Sequence, residues 1–208
     1  MTSNQTTRLL LVRHGQSEWN AVGRWQGQAN SPLSDLGRKQ AFSAAENIGS
    51  VDVIVSSPQD RALNSALIIS DRIGVGPVQV IDAIRERSAG EWSGLTHAEI
   101  EEKWPGWIED GRRPEGFESD ESLEKRVFQA LNELVAEWVG ADILAMCHGG
   151  VINLIKSVLG SGSSVKPGRT GNLSGLVIVH SAAGFRLGDE LELLPDTIAS
   201  GGTSRHVV

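Results

Sequence analysis

Residues 9–15 read Leu-Leu-Leu-Val-Arg-His-Gly, and the interpretation of the whole chain starts from this stretch. Four consecutive apolar residues are too few for an independent helix but are typical of a strand buried on both faces of a parallel sheet. In an open α/β sheet, ligands bind beyond the carboxyl ends of the strands. We therefore expect His14 to face a ligand and Gly15 to let the backbone turn behind it. A core histidine bound to a neighbouring carbonyl is the alternative at this position.

Strand and helix patterns alternate along the rest of the chain. Apolar runs predict further strands at residues 51–55, 78–81, 143–146 and 176–179. Apolar residues at helical spacing predict helices that begin at residue 34 or 35 and end at 49, that follow Pro58 and end at 73, and that span residues 122–138 and 151–159. This alternation predicts an α/β fold, a three-layer sandwich with a mostly parallel central sheet and helices on both faces.

Residues 87–119 interrupt the alternation. They hold five glycines, three tryptophans and two prolines, and a capping-box pattern at residues 96–99 predicts one short helix. We interpret residues 1–208 as a single domain in which residues 87–119 form a lid insertion over the carboxyl end of the strands. The small, polar residues 195–208 predict a flexible tail.

Composition and charge limit the classes of partner. A net charge of −7 argues against a nucleic-acid surface and against an anionic membrane. The single cysteine, Cys147, excludes an internal disulfide and fits a reducing compartment. Residues 1–7 are polar, unlike a secretory signal, and no apolar run reaches membrane-spanning length. We predict a cytoplasmic protein without a nucleic-acid or membrane partner, and the sequence is compatible with a monomer or a homodimer.

Two distant strands end in the same pattern of polar residue, histidine and glycine. Residues 143–150 read Ile-Leu-Ala-Met-Cys-His-Gly-Gly, and a third strand ends at Ser-Ser-Pro, with Arg61 one helical turn further on. If these strands are neighbours, one crevice contains four basic side chains: Arg13, His14, Arg61 and His148. Such a cluster is unfavourable without an anion. Phosphate suits it, because guanidinium groups match its oxygens and helix N-termini add backbone donors.

From residue 8 to residue 179 the sequence resembles the histidine phosphatase superfamily, the phosphoglycerate-mutase-like proteins with an Arg-His-Gly signature. The matching positions are residues 11–17, 20, 24–27, 31–33, 37, 40–41, 56–58, 61–62, 85–86, 90–96, 118–119, 126–127, 148–152 and 172. Arg-His-Gly alone is a weak signal, whereas this many matches in order are a strong one.

The resemblance implies a role for each matching residue. His14 corresponds to the nucleophile that becomes phosphohistidine, and Glu86 to the general acid for the leaving group. The phosphate clamp consists of Arg13, Arg61 and His148. The substrate-binding positions are Asn20, Gln26, Gly27 and Gly149. The expected protein is a phosphomonoester hydrolase, without cofactor or metal, that acts on a small phosphorylated metabolite.

The chemistry requires these residue types independently. An imidazole attacks phosphorus only when it is neutral, and nearby arginines favour the neutral form because they penalise the cation. The transition state spreads negative charge over three oxygens, which a cationic clamp stabilises. The P–N bond of phosphohistidine is labile, so water can complete the cycle.

Other functions compete with this interpretation. A phosphoglycerate mutase of the same family is the first alternative, although family mutases carry a His-Tyr pair after the acid and a longer insertion, and this chain has no tyrosine. The mutase alternative remains, because Arg112 and Arg113 could bind the carboxylate of the glycerate. A non-catalytic relative that binds phosphorylated ligands is the second alternative, and a metallohydrolase using His14, His148 and Glu86 is the third.

Single residues also have simpler explanations. Arg61 alone is consistent with a solvated helix residue, and Glu86 with a surface partner of Arg85 or Arg87. Cys147 is better explained by packing than as a nucleophile. Residues 160–164 are rich in glycine and serine but lack the Gly-Lys-Ser/Thr ending of a nucleotide P-loop.

Overall fold

A computed structural model of the protein describes residues 5–160 and 170–195, in which six strands form one sheet. The strands are β1 Thr7–Arg13, β2 Val53–Ser56, β3 Gln79–Val80, β4 Asp142–Cys147, β5 Ser174–Ser181 and β6 Gly184–Glu192. Their order in the sheet is β3-β2-β4-β1-β5-β6. Neighbours from β3 to β1 are parallel, β5 is antiparallel to β1, and β6 is antiparallel to β5. The prediction of a mostly parallel sheet is confirmed.

Helices cover both faces of this sheet. The described residues form helices α1 Glu18–Ala21, α2 Asp35–Ala44, α3 Asp60–Ile73, α4 His97–Lys103, α5 Asp120–Glu137 and α6 Gly149–Leu159, of which α2 and α3 pack on one face of the sheet and α5 and α6 on the other. Successive residues of β1 point to opposite layers: Leu9 and Leu11 pack with α5 and α6, whereas Leu10 and Val12 pack with α2 and α3. Each fully buried leucine contributes about 1.5–3 kcal/mol of hydrophobic stabilisation. The predicted three-layer α/β sandwich is therefore confirmed.

The structure differs from the sequence-based prediction at several elements. β6 was not predicted, because it is an edge strand with mostly exposed or half-buried residues and no continuous apolar run. α1 is a one-turn helix inside a stretch expected to be a loop. α2 ends at Ala44 rather than at residue 49, and the following turns are held by the Asn47 amide, which donates to the Leu193 carbonyl (2.9 Å). β3 consists of only two residues, Gln79–Val80, whereas a strand was predicted at residues 78–81.

Two predicted features lie largely or wholly outside the described residues. These are the glycine-serine stretch, of which residues 161–169 are not described, and the tail, of which residues 196–208 are not described. Within the described ranges, no helix combines the length and apolar character needed to cross a bilayer.

The 87–119 segment has a small hydrophobic cluster of its own. Trp92 and Ile100 are fully buried in it, and half-buried aromatic residues surround them. The Trp92 ring lies 5.2 Å from that of Trp25 and 5.9 Å from that of Phe117, both in edge-on geometry. Backbone hydrogen bonds between Trp25 and residues 94–95 attach this segment to the loop that follows β1. It therefore packs beside the chain that leaves the first strand.

Gly27 is the point of closest approach between that loop and the 87–119 segment. Its φ is +51°, and a Cβ at this position would lie 2.6 Å from the Ala89 amide nitrogen. Both the left-handed backbone and the lack of space require glycine.

The first turn of α2 presses against the chain just after His14. A Cβ on Gly37 would lie 1.9 Å from the Gln16 carbonyl oxygen, and Ser34, the N-cap of α2, donates its backbone N–H to the same oxygen (2.9 Å). The backbone N–H of Gln16 in turn donates to Oε1 of the Gln40 side chain (2.8 Å). These contacts hold the turn that carries His14.

We expect Gly37→Ala to destabilise the fold even though alanine is the better helix former. In an open helix the change would add about 1 kcal/mol of stability, whereas the collision with Gln16 should cost about 1–3 kcal/mol net. Urea unfolding measures the difference. Lys39→Ala, an exposed change in the same helix, should stay within about 0.5 kcal/mol. A Gly37→Ala protein as stable as wild type would show that the packing is loose.

Candidate active site

Three adjacent strands bring the predicted residues to one edge of the sheet. Arg13 is the last residue of β1 and lies opposite Cys147 of β4, so that His14 and His148 follow neighbouring strands. On the other side of β4, β2 ends at Ser56 and is followed by Ser57. The expectation that these strand ends are neighbours is met because β2, β4 and β1 are consecutive in the sheet.

His14 is held in one tautomer. Its side chain is 2% exposed, and Nδ1 lies 2.6 Å from the Gly15 carbonyl oxygen, which can only accept a hydrogen bond. Nδ1 therefore carries the proton, and Nε2 accepts from the Nε–H of Arg61 (3.1 Å). Burial lowers the pKa of His14 well below its ordinary value, the charges of Arg61 and Arg13 lower it further, and the bond to Gly15 opposes them. The result is a neutral imidazole with its lone pair on Nε2.

Arg61 is fully enclosed rather than solvated. It is 1% exposed, its Nη1 donates to the Ala29 carbonyl (2.8 Å) and its Nη2 donates to the Gly27 carbonyl (2.9 Å). Burial lowers its pKa to about 10, so that it remains a cation at neutral pH. The alternative of a solvated helix residue is wrong, because the loop after β1 folds over the start of α3.

His148 has no exposed surface, and its ring centroid lies 5.2 Å from that of His14. Its Nε2 lies 2.8 Å from Ser57 Oγ, which also accepts the Gln59 backbone N–H (3.3 Å). The Ser57 hydroxyl can still donate to Nε2, and this arrangement places the proton of His148 on Nδ1. Within the described residues, Nδ1 is buried without a hydrogen-bond partner. Burial, and then the charge of Arg61, lower the pKa of His148 well below its ordinary value.

Arg13 lies along the N-terminus of α6. Its Nη1 donates to the Thr170 carbonyl (2.7 Å), and a Cβ at Gly149 would lie 3.8 Å from its Nε. The Asn172 amide donates to the carbonyl of His14 (2.9 Å) and ties β5 to the same turn. Arg13 and Gly149 therefore lie side by side at the N-terminus of α6.

The carboxylate of Glu86 lies at the same helix N-terminus. It accepts the backbone N–H groups of Arg87 (2.8 Å, at Oε1) and of Gly150 (3.2 Å, at Oε2). The guanidinium of Arg87 pairs with Asp120, and that of Arg85 with Asp82. Glu86 is therefore not a surface partner of either arginine, and that alternative is wrong.

The other predicted substrate-binding residues form a network in the loop after His14. Asn20 completes a capping box with Ser17, whose hydroxyl donates to Gln26 Oε1 (2.8 Å). Gly27 orients Arg61 through its carbonyl. Their direct contact with phosphate stays a prediction.

Two residues without a predicted role support Glu86. Arg126 forms a double hydrogen bond with Glu118 (2.8 Å each) and donates to three carbonyls along residues 83–86. Gln59 Oε1 accepts the backbone N–H of Glu86 (2.7 Å). Positions 118 and 126 were among the family matches, so the sequence did offer a signal for the Glu118–Arg126 pair. Gln59 had no signal, because a lone glutamine shows no sequence pattern that reveals which distant backbone groups it binds.

Three other residues have settled surroundings. Cys147 is fully buried, and burial raises the pKa of its thiol, which supports packing rather than nucleophilic attack. Arg112 pairs with Asp110 (2.7 Å), and the Arg113 guanidinium lies 5.5 Å from the Trp92 ring centroid.

Residues 5–160 and 170–195 contain no group of three or more His, Cys, Asp or Glu side chains placed to hold a metal ion.

The comparisons with known proteins identify the family of the chain. A family model described as the histidine phosphatase superfamily (branch 1) matches residues 9–187, and the chain belongs to that superfamily. It is 40% identical over 166 residues to a glucosyl-3-phosphoglycerate phosphatase of Mycolicibacterium vanbaalenii, covering 73% of each chain. It is 34% identical over 162 residues to a metal-independent phosphoserine phosphatase of Arabidopsis thaliana, covering 73% of this chain and 68% of the relative.

The fold comparison gives the same result. The structure of a mycobacterial glucosyl-3-phosphoglycerate phosphatase complexed with VO3 superposes with a TM-score of 0.78 at 33% identity, covering 88% of this chain and 97% of that one. The family and the phosphomonoester hydrolase class predicted from the sequence are both confirmed.

We expect the two buried histidines to make stability fall in acid. In the folded protein both pKa values are lowered, so the unfolded chain takes up protons first as the pH drops below about 6.5. The stabilisation is complete above that pH and is lost below it. His148→Gln should reduce the slope of the unfolding free energy between about pH 6.5 and pH 5 by up to about 1.4 kcal/mol per pH unit.

Urea unfolding at several pH values measures this slope. His180→Gln is the matched control, because His180 lies opposite Thr7 at the other edge of the sheet. Equal slopes for wild type and His148→Gln would contradict the expectation.

Proposed function

We propose that this protein hydrolyses phosphomonoesters of small metabolites through a phosphohistidine at Nε2 of His14. The observation that carries the proposal is the fixed tautomer of His14: Nδ1–H is bound to Gly15, and the lone pair on Nε2 faces Arg61 in a buried, basic crevice. This arrangement keeps the nucleophile neutral at the pH where the clamp is cationic.

The first step transfers the phosphoryl group to His14. Nε2 forms a bond to phosphorus while the ester P–O bond breaks, and Glu86 donates a proton to the departing alcohol oxygen. In the second step the ionised Glu86 takes a proton from water, the water oxygen bonds to phosphorus, and the P–N bond breaks. Inorganic phosphate leaves, and both residues return to their starting states.

The clamp stabilises the charge that develops on the phosphoryl oxygens. Arg13 and Arg61 supply cationic donors, the buried Nδ1–H of His148 supplies a neutral one, and the N-terminus of α6 at Gly149 adds the helix dipole. The phosphate of the substrate also replaces the Arg61 hydrogen bond at Nε2, which frees the lone pair for attack. Because phosphate is anionic, its arrival offsets the repulsion among these groups.

The first substrates to assay follow from the relatives. Two of them are named for glucosyl-3-phosphoglycerate and phosphoserine, which are small phosphomonoesters. We propose that the 87–119 segment acts as a lid over the bound metabolite within a single domain, since it packs beside Gly27. The free thiol of Cys147 supports a cytoplasmic location.

Hydrolysis fits the described residues better than a mutase reaction. A mutase must hold the carboxylate of glycerate, yet the candidate cations for that task, Arg112 and Arg113, are occupied with Asp110 and with aromatic rings. A non-catalytic protein that only binds phosphorylated ligands would not require a general acid at Glu86.

We expect a phosphoenzyme that depends on His14. Rapid quenching with labelled phosphoserine should trap an acid-labile, base-stable phosphoprotein in wild type and none in His14→Ala, because the attacking nitrogen is absent. His180→Ala, which lies at the opposite edge of the sheet, should still form it. A His14→Ala enzyme with full activity would sink the mechanism.

We expect Glu86→Gln to distinguish between leaving groups. Loss of the general acid should lower kcat for phosphoserine by about 10²–10⁴-fold, because an alkoxide is a poor leaving group. It should lower kcat for p-nitrophenyl phosphate much less, because that leaving group needs little protonation. Arg61→Ala should slow both substrates alike, since the clamp acts on the common phosphoryl group. Equal losses for both substrates in Glu86→Gln would assign the acid to another residue.

A further inference from the structure

We propose that Gln59 is a positioning residue that holds the general acid Glu86 in register with the phosphate clamp. The inference rests on the proposed function, since it assumes that Glu86 protonates the leaving group. The hydrogen bonds of the Gln59 side chain all go to main-chain atoms around the site, so Gln59 acts through the residues that it orients.

Gln59 occupies the N-cap position of α3 but does not cap the helix. Its side chain makes no hydrogen bond to the first turn, and glutamine is not among the residues preferred at that position. The side chain is instead 6% exposed and points across the crevice. A buried amide that leaves a helix end uncapped must have its hydrogen bonds satisfied elsewhere.

The two ends of the Gln59 amide bind two different parts of the site. Oε1 accepts the backbone N–H of Glu86 at 2.7 Å. Nε2 donates to the carbonyl of Gly27 at 3.1 Å and approaches that of Ala29 at 3.5 Å. One side chain therefore joins the chain that carries the acid to the loop after His14.

The same loop carbonyls also orient the clamp. Arg61 donates to Gly27 through Nη2 (2.9 Å) and to Ala29 through Nη1 (2.8 Å). Gln59 and Arg61 thus share both acceptors. A shift of Gln59 changes the distance between Glu86 and the group that grips the phosphate, while Arg61 keeps its own bonds.

Glu86 needs this support because it lies in an irregular connection after β3. Arg126 holds its carbonyl oxygen (3.1 Å) and Gln59 holds its amide nitrogen, so the backbone at the acid is fixed from both sides. General acid catalysis requires the carboxyl within hydrogen-bond reach of the leaving oxygen. A misplacement of about 1 Å can cost about 10²-fold in rate.

The test uses Gln59→Leu, which removes both hydrogen bonds at nearly constant size. We expect kcat for phosphoserine to fall about 10–10²-fold and kcat for p-nitrophenyl phosphate to fall less than about threefold. The double variant Gln59→Leu/Glu86→Gln should be no slower on phosphoserine than Glu86→Gln alone, because the two residues act in one step. Gln129→Leu, an exposed glutamine on α5, controls for the substitution type and should leave both rates unchanged.

Equal losses for the two substrates in Gln59→Leu, or additive losses in the double variant, would show a merely structural role and overturn the inference. Failure of the proposed function is separate: Glu86→Gln would then show no dependence on the leaving group. A leaving-group effect in Glu86→Gln without one in Gln59→Leu overturns only the inference.

Gln59→Glu provides a second test if the leucine variant does not fold. The new carboxylate keeps an acceptor for the Glu86 N–H but loses the donor to Gly27, and protonation restores an O–H donor. Its phosphoserine rate, relative to wild type at the same pH, should therefore rise as the pH falls. A ratio that is flat with pH would contradict the bridge.

Discussion

The hydrogen bond from Arg61 Nε to His14 Nε2 is the interaction on which the rest of the site depends. It joins two buried side chains, 1% and 2% exposed, one of which is a cation. The charge of Arg61 and burial together keep His14 neutral. Because a buried guanidinium must satisfy its other N–H groups, two loop carbonyls turn toward it. The hydrogen bonds of the Arg61 guanidinium therefore fix the path of the loop after β1 at Gly27 and Ala29.

Basic side chains packed this closely repel one another, and the bound phosphate of the proposed reaction offsets that repulsion. Arg13, Arg61 and the two imidazoles lie close together, and the Glu86 carboxylate lies beside them at the N-terminus of α6. Burial, and then the charge of Arg61, lower the pKa of both histidines. The hydrophobic layers on the two faces of the sheet supply the stability that holds such groups together. In the proposed reaction, the negative charge on the phosphoryl oxygens of the transition state is stabilised by donors that are already in place, which is the basis of electrostatic preorganisation.

The proposed acid, Glu86, is supported by side chains that bind its backbone. Arg126 and Gln59 bind opposite sides of the Glu86 peptide, and Glu118 fixes Arg126 through two hydrogen bonds. These contacts join α5, the start of α3 and the 87–119 segment around one carboxylate. A site that uses a flexible glutamate on an irregular connection needs such a frame, because the acid must reach the leaving oxygen within a fraction of an ångström.

The sequence by itself determined the α/β class and the strand ends that carry Arg13, His14 and His148, because apolar runs and local motifs are properties of neighbouring residues. The assignment of Glu86 to the same site came from the family resemblance rather than from a local pattern. The structure alone decided the order of the strands, the hairpin strand β6, the bonds of Arg61 to Gly27 and Ala29, and the bridge made by Gln59. The strand order and the bonds of Arg61 and Gln59 depend on contacts between residues 24 or more positions apart, whereas β6 follows β5 directly and was missed because it has no continuous apolar run. A glutamine shows no pattern in the sequence that reveals which distant backbone groups it will bind.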